Sequence, residues 1–433
     1  MLPTLIISIL TCLFVILSVL FFPELGIGSR RLPTYPIVAL FGALLLLATG
    51  LLPLPTLTSG LSAAGAVNPI KILVLFFSMT SLSVYLDEVG FFSYLAAAAL
   101  RRAAGRQIRL FLLLYLLVSV LTVFTSNDVI ILTFTPFICY FTKNARIDPM
   151  PYLIAEFVAA NTWSMALVIG NPTNIYLAQS AGIEFFPYLK VMLLPTVLAG
   201  LTSLGVLLLL FRRPLSVPMS PIPATVTFRR RAPLVIGLVH LSLCTVLLAV
   251  SSYVHLEMWG VALGFAVSLF VFGALAALLD RRRPGELLRT LLRLPYQLIP
   301  FVLAMFAIVL SLRAYGVSEQ LCRILARLPA IPTYGVLSFL SSNLLNNIPM
   351  SVLFSSILSF SEGAARLGGI FAATVGSNLG AYLTPLGALA GIMWSSLLAK
   401  NGIRLSFPRF VAYGATVALP TLAAALLGLS LVL

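Results

Sequence analysis

Long apolar runs alternate with short polar breaks along the whole chain, and the breaks recur once in each half. Runs of about 20 apolar residues, enough to cross a bilayer, fall near 2–22, 34–54, 68–86, 152–182, 187–211, 233–253, 257–279, 296–313, 366–400 and 409–432. Two of them, 152–182 and 366–400, are too long for a single crossing and contain Gly/Pro interruptions, so each predicts a broken helix. Two further stretches, 111–141 and 331–360, are split by Ser126-Asn127-Asp128 and by Asn346-Asn347 into arms too short to cross. These predict re-entrant hairpins with polar tips. Polar backbone at membrane depth is tolerated only where protein or a cavity surrounds it. Paired interruptions in the two halves are the sequence mark of a transporter's binding site.

The expected architecture is therefore an all-α integral membrane protein of two five-span repeats, 1–211 and 233–433, joined by a cytoplasmic linker at 212–232 rich in Pro and Arg. Charge sets the expected orientation. With the loop holding Arg30 and Arg31 on the cytoplasmic side, 21 of the 27 Lys and Arg residues lie inside and 6 outside, as the positive-inside rule requires. Both termini then lie outside, and the second repeat enters the membrane inverted. Asn161 and Asn378 each precede a glycine by nine residues (Gly170 and Gly387), an internal echo that agrees with an inverted repeat.

Composition confirms the class. Hydrophobic residues make up 60% and charged residues 9%, with mean hydropathy +1.09, against about a quarter charged in a soluble domain. The net charge of +15 reads as topology signal, not as a nucleic-acid surface. The apolar run at 2–22 lacks a preceding basic residue and a small-residue cleavage pattern, so it reads as a retained span. Cys12, Cys139, Cys244 and Cys322 lack metal-ligand spacing, and no metal or cofactor is expected. His240 and His255 stand alone, so no catalytic constellation supports an enzyme.

The candidate site residues are those of the breaks: Ser126, Asn127 and Asp128; Gly170, Asn171, Thr173 and Asn174; Asn343, Asn346 and Asn347; Thr384 and Gly387. Asn171-Pro172 and Thr384-Pro385 read as an N-cap followed by a proline at the first helical position. Asn347, and Ser126 or Asn127, read as caps too. Four helix N-termini would bring unpaired N–H groups to one place, suited to an anion or an oxygen-rich neutral solute. Asn171, Asn174, Asn346, Asn347 and Thr384 are expected to line one cavity. Asp128 is the one carboxylate expected deep in the membrane, as a carrier of H⁺ or Na⁺ or else as a helix cap. Glu156 is expected at a surface or vestibule.

Val375-Gly376-Ser377-Asn378-Leu379-Gly380, Leu383-Thr384-Pro385-Leu386-Gly387-Ala388-Leu389-Ala390 and the hairpin tips resemble the arsenite efflux permeases of the ion transporter superfamily. That resemblance implies a scaffold with a mobile transport domain, an elevator-like motion, a homodimer and a soluble arsenite ATPase as partner. It also implies a prokaryotic cytoplasmic membrane and proton-coupled efflux of arsenite or antimonite, a small inorganic solute. A Na⁺/H⁺ antiporter and a di- or tricarboxylate carrier of the same superfamily are the rival readings, and a channel-like anion pathway is a rival of another class.

Overall fold

The computed structural model describes residues 2–22, 24–27, 30–62, 68–219, 231–251, 253–281 and 284–433. Most of the expected 212–232 linker lies outside the described residues.

The chain opens with α1 (Leu2–Phe21), a two-stranded antiparallel ribbon of β1 (Glu24–Ile27) and β2 (Arg30–Pro33), and α2 (Tyr35–Ala48). Then come α3 (Leu54–Ser62), α4 (Pro69–Glu88), α5 (Phe91–Ala103), α6 (Gln107–Phe124) and α7 (Asn127–Ala145). The first expected broken helix appears as α8 (Met150–Trp163), a 3-10 turn at Val168–Gly170 and α9 (Pro172–Ser180). The half closes with α10 (Phe185–Leu210) and α11 (Arg212–Leu215).

The second half runs through α12 (Arg231–Val250), α13 (Met258–Leu279), α14 (Gly285–Leu292), α15 (Leu298–Ala314) and α16 (Val317–Leu325). The second tip joins α17 (Ala330–Leu345) to α18 (Asn347–Leu358). The second broken helix is α19 (Gly363–Gly380) and α20 (Leu389–Lys400), and α21 (Phe407–Val432) follows.

Seven of the described helices (α1, α4, α6, α10, α12, α13 and α21) are long and apolar enough to cross a membrane alone. The expected span at 34–54 is shorter, because the α2 helix ends at Ala48. At the end of α15 the chain bends by 75° into α16. The arm before the first tip is longer than expected: α6 has 18 residues and meets the length and apolarity of a full span. The β1–β2 ribbon had no counterpart in the periodicity of the sequence.

Two hydrophobic cores form. One gathers α1, α2, α15 and the first turns of α4 around Tyr35, Phe76 and Phe301; the other holds most of the remaining helices. Close packing in the second core depends on small residues of α17 and α19. A Cβ on Gly376 would lie 2.0 Å from Ser338 Oγ and 2.4 Å from Gly335 O. One on Gly380 would lie 2.1 Å from Ser342 Oγ. The backbones of α17 and α19 approach this closely only because those side chains are absent or small.

Candidate substrate site

The first tip begins α7. Ser126 is its N-cap residue, with an extended backbone, and makes no side-chain cap bond. Asn127 Nδ2 donates to Asn161 Oδ1 on α8 at 3.1 Å, and Asn161 Nδ2 donates back to Phe157 O at 2.8 Å. Asn127 Oδ1 and Ser126 Oγ are buried without a partner. Unsatisfied buried oxygens cost about 1–3 kcal/mol each, and two of them lie at this helix start. Asp128, next along, is only half buried and faces a cavity of about 840 Å³.

The first break holds two amides, Asn171 and Asn174, and two hydroxyls, Ser164 and Thr173. Asn171 caps α9: its Oδ1 accepts from Thr173 N and from Thr173 Oγ1, both at 3.2 Å. Asn174 Nδ2 ties the break together by donating to Ser164 O at 2.8 Å and Leu167 O at 3.1 Å. The partner of both comes from the other half. Asn378 Oδ1 on α19 accepts from Asn171 Nδ2 at 3.0 Å and lies 2.9 Å from Ser164 Oγ, while Asn378 Nδ2 donates to Asn174 Oδ1 at 2.7 Å. Gly170 is fixed by space: a Cβ there would lie 2.2 Å from Ser164 O.

The second tip and second break bind each other. Asn343 Oδ1 accepts from Thr384 Oγ1 at 2.7 Å and from Thr384 N at 3.1 Å. Asn347 N donates to Gly387 O at 3.1 Å, and Asn346 Nδ2 donates to Leu386 O at 3.2 Å. A Cβ on Gly387 would meet Gly380 O at 2.3 Å. Asn346 holds φ +71°, a left-handed φ that is costly for a residue with a side chain and is pinned by these contacts.

Several expectations need correction. The cap of α18 is Asn346, one residue earlier than the expected Asn347. Thr384-Pro385 does not begin a helix: the chain stays in turns until Leu389, and Thr384 Oγ1 is engaged by Asn343. The expected single cavity is divided. Asn171 and Asn174 are buried against Asn378, Asn343 and Asn346 line a small separate void, and the large cavity is reached by Asp128, Pro385 and Leu386. Glu156 is not at a vestibule. It is 2% exposed, with both carboxyl oxygens near Thr135 Oγ1 at 3.0 and 3.1 Å. Asn161, Ser164 and Asn378 were missing from the candidate set, although the nine-residue spacing to Gly170 and Gly387 had already paired two of them.

The large cavity lies at the seam between the two cores. Val19, Tyr35, Phe76 and Leu298 line it from one, Asp128, Val129 and Phe410 from the other. Arg293 and Lys400 also reach it. The Arg293 guanidinium is already paired, with Asp87 at 2.7 Å and Glu88 at 2.6 Å.

Residues 13–372 match the family model described as "Citrate transporter". The chain belongs to the citrate transporter family. It is 30% identical over 382 residues to the arsenical pump membrane protein of Yersinia enterocolitica, covering 82% of this chain and 85% of that protein. The arsenical pump membrane protein of Escherichia coli is 28% identical, with 82% and 85% covered. Among solved structures, the YdaH transporter of Alcanivorax borkumensis superposes with TM-score 0.53 at 14% identity, covering 99% of this chain and 98% of that one. MtrF of Neisseria gonorrhoeae gives TM-score 0.50 at 12% identity, covering 98% and 93%. The chain is thus a multi-pass membrane transporter of this family, and its fold is that of solved transporters.

Proposed function

We propose that the protein is a secondary transporter that exports arsenite and antimonite across a prokaryotic cytoplasmic membrane in exchange for protons. The observation that carries this reading is the first tip. Two buried, unpartnered oxygens, on Ser126 and Asn127, immediately precede the half-buried Asp128, which lines the cavity. Arsenous acid is neutral near pH 7 and carries hydroxyl donors that such oxygens would accept, and the arsenical pump relatives point the same way. Asp128 is the proposed coupling group, taking up a proton when substrate leaves. In this reading the two repeats, 1–211 and 233–433, are inverted, both termini lie outside, and transport slides one core past the other at the cavity seam. Homodimers and a soluble ATPase partner belong to the same proposal.

A carboxylate carrier is the second reading. Arg293 and Lys400 favour it because they line the same cavity, although Asp87 and Glu88 already neutralise Arg293.

Expression in a bacterial strain stripped of its own exporters separates the two. The expected result is restored growth on arsenite and antimonite, with lower cell-associated arsenic and no gain in citrate uptake. Citrate uptake without arsenical resistance would reverse the assignment.

A further inference from the structure

Glu156 is the buried ionisable group that the proposed mechanism leaves unused. It sits on α8 at 2% exposure, and among the described residues no Lys or Arg pairs with it. An isolated carboxylate in such a setting is far too costly to persist without compensation. Its two oxygens both approach one atom, Thr135 Oγ1, at 3.0 and 3.1 Å. A threonine hydroxyl has one hydrogen to give. That one hydrogen can point at one oxygen or be shared between the two, and a single neutral donor is far from what an ionised carboxylate at this depth needs, so the geometry favours the protonated acid. Trp394 of α20 is fully buried, and its Nε1–H has no hydrogen-bond partner. Its ring packs on Phe157, 4.9 Å between centroids.

Position gives this pair a consequence. Thr135 lies seven residues beyond Asp128 on α7, about two turns and about 10 Å along the same face. The α7 helix is therefore joined to α8 twice, by Asn127–Asn161 at the tip and by Thr135–Glu156 below it. Met393, Ser395 and Ser396, the residues flanking Trp394, line the large cavity. Besides Asp128, the titratable groups on the packed helices are Cys139 and the exposed Tyr140 on α7, Tyr115 on α6, Tyr188 on α10 and Tyr152 on α8. Tyr115, Tyr188 and Tyr152 bond elsewhere, to Ser203, Met165 O and Gln107 respectively, and Tyr382, just beyond α19, bonds Thr162 of α8. Arg109, Lys143, Lys190, Arg366 and Lys400 are the cations those elements carry.

We infer that Glu156 and Thr135 form a second proton-binding site, whose occupancy decides whether the α20 wall of the cavity is tied to α8 through Trp394. With the proton bound, Glu156 is satisfied by Thr135 and the Trp394 Nε1–H stays without a partner. When the proton leaves for the cavity, the carboxylate gains a charge-assisted bond from Trp394 Nε1–H, and α20 is drawn toward α8. The inference rests on the transporter reading but not on arsenite, because it is tested without substrate.

The full chain is reconstituted in liposomes with Trp163 and Trp259 replaced by Phe, leaving Trp394 as the one tryptophan, excited at the red edge where tyrosine does not absorb. Infrared difference spectra and Trp394 emission are recorded across a pH titration, in this background and with Asp128→Asn. The expected result is a protonated-carboxyl band that disappears on alkalinisation in step with a change in Trp394 emission, in both backgrounds. Glu156→Gln removes both signals, and Thr135→Val, which keeps the carboxyl group, displaces their shared midpoint. Either of two results overturns the inference: a Trp394 emission that ignores pH, or signals that survive unshifted in Glu156→Gln and Thr135→Val. If Glu156→Gln fails to fold, the midpoint in Thr135→Val decides alone.

Discussion

Asp128→Asn is expected to abolish uphill transport while leaving substrate exchange intact. One unit of pH is worth about 1.4 kcal/mol per proton, so a one-for-one exchanger can sustain about a tenfold substrate gradient per pH unit. Asparagine keeps the size and hydrogen-bonding reach of the side chain at the cavity wall but cannot cycle between charged and neutral forms. The concentration ratio in a pH-jump assay should fall to one, whereas exchange of labelled for unlabelled substrate persists. Gradient-driven accumulation equal to wild type would show that another group carries the coupling proton.

Asn378→Ala carries the second large effect, on stability and transport together. The substitution removes the acceptor that receives Asn171 Nδ2 and the donors that reach Asn174 Oδ1 and Thr374 O. Asn174 Oδ1 and Asn171 Nδ2 would be left buried and unpaired, at about 1–3 kcal/mol each. The break between α8 and α9 would lose its tie to α19. Thermal unfolding in detergent should shift downward by several degrees, and flux should fall even in protein that remains folded. Unchanged unfolding and flux would show that the amide cluster is not what holds the two broken helices in register.

The elements that were legible in sequence are those in which the chain must stop being a helix. A break in apolar sequence needs a cap, and Asn171-Pro172 supplied one where α9 begins. The tips at Ser126 and Asn346 stood out for the same reason. Asn378 was harder to see because it sits within the last turn of α19, before the break, and its partners are more than 200 residues away. Its role appears only when the two halves come together. Thr384-Pro385 carried a cap's local chemistry, but Asn343 engages Thr384 and the helix starts four residues later. Glu156 was misplaced because its distance from the end of an apolar run suggested a surface. Burial depends instead on α7 and α20 covering it, which no local pattern reveals. Asp128 was readable as polar and deep, yet the cavity that it faces is built by helices from both cores.

The most direct measurement of the central claim is arsenite flux into liposomes containing only this protein, with the lumen acidified relative to the outside. The account predicts accumulation above the external concentration, by up to about tenfold per pH unit for a one-proton exchange, that collapses when a protonophore dissipates the gradient. Arsenite that merely equilibrates, with a rate and end point indifferent to the pH difference, would contradict it.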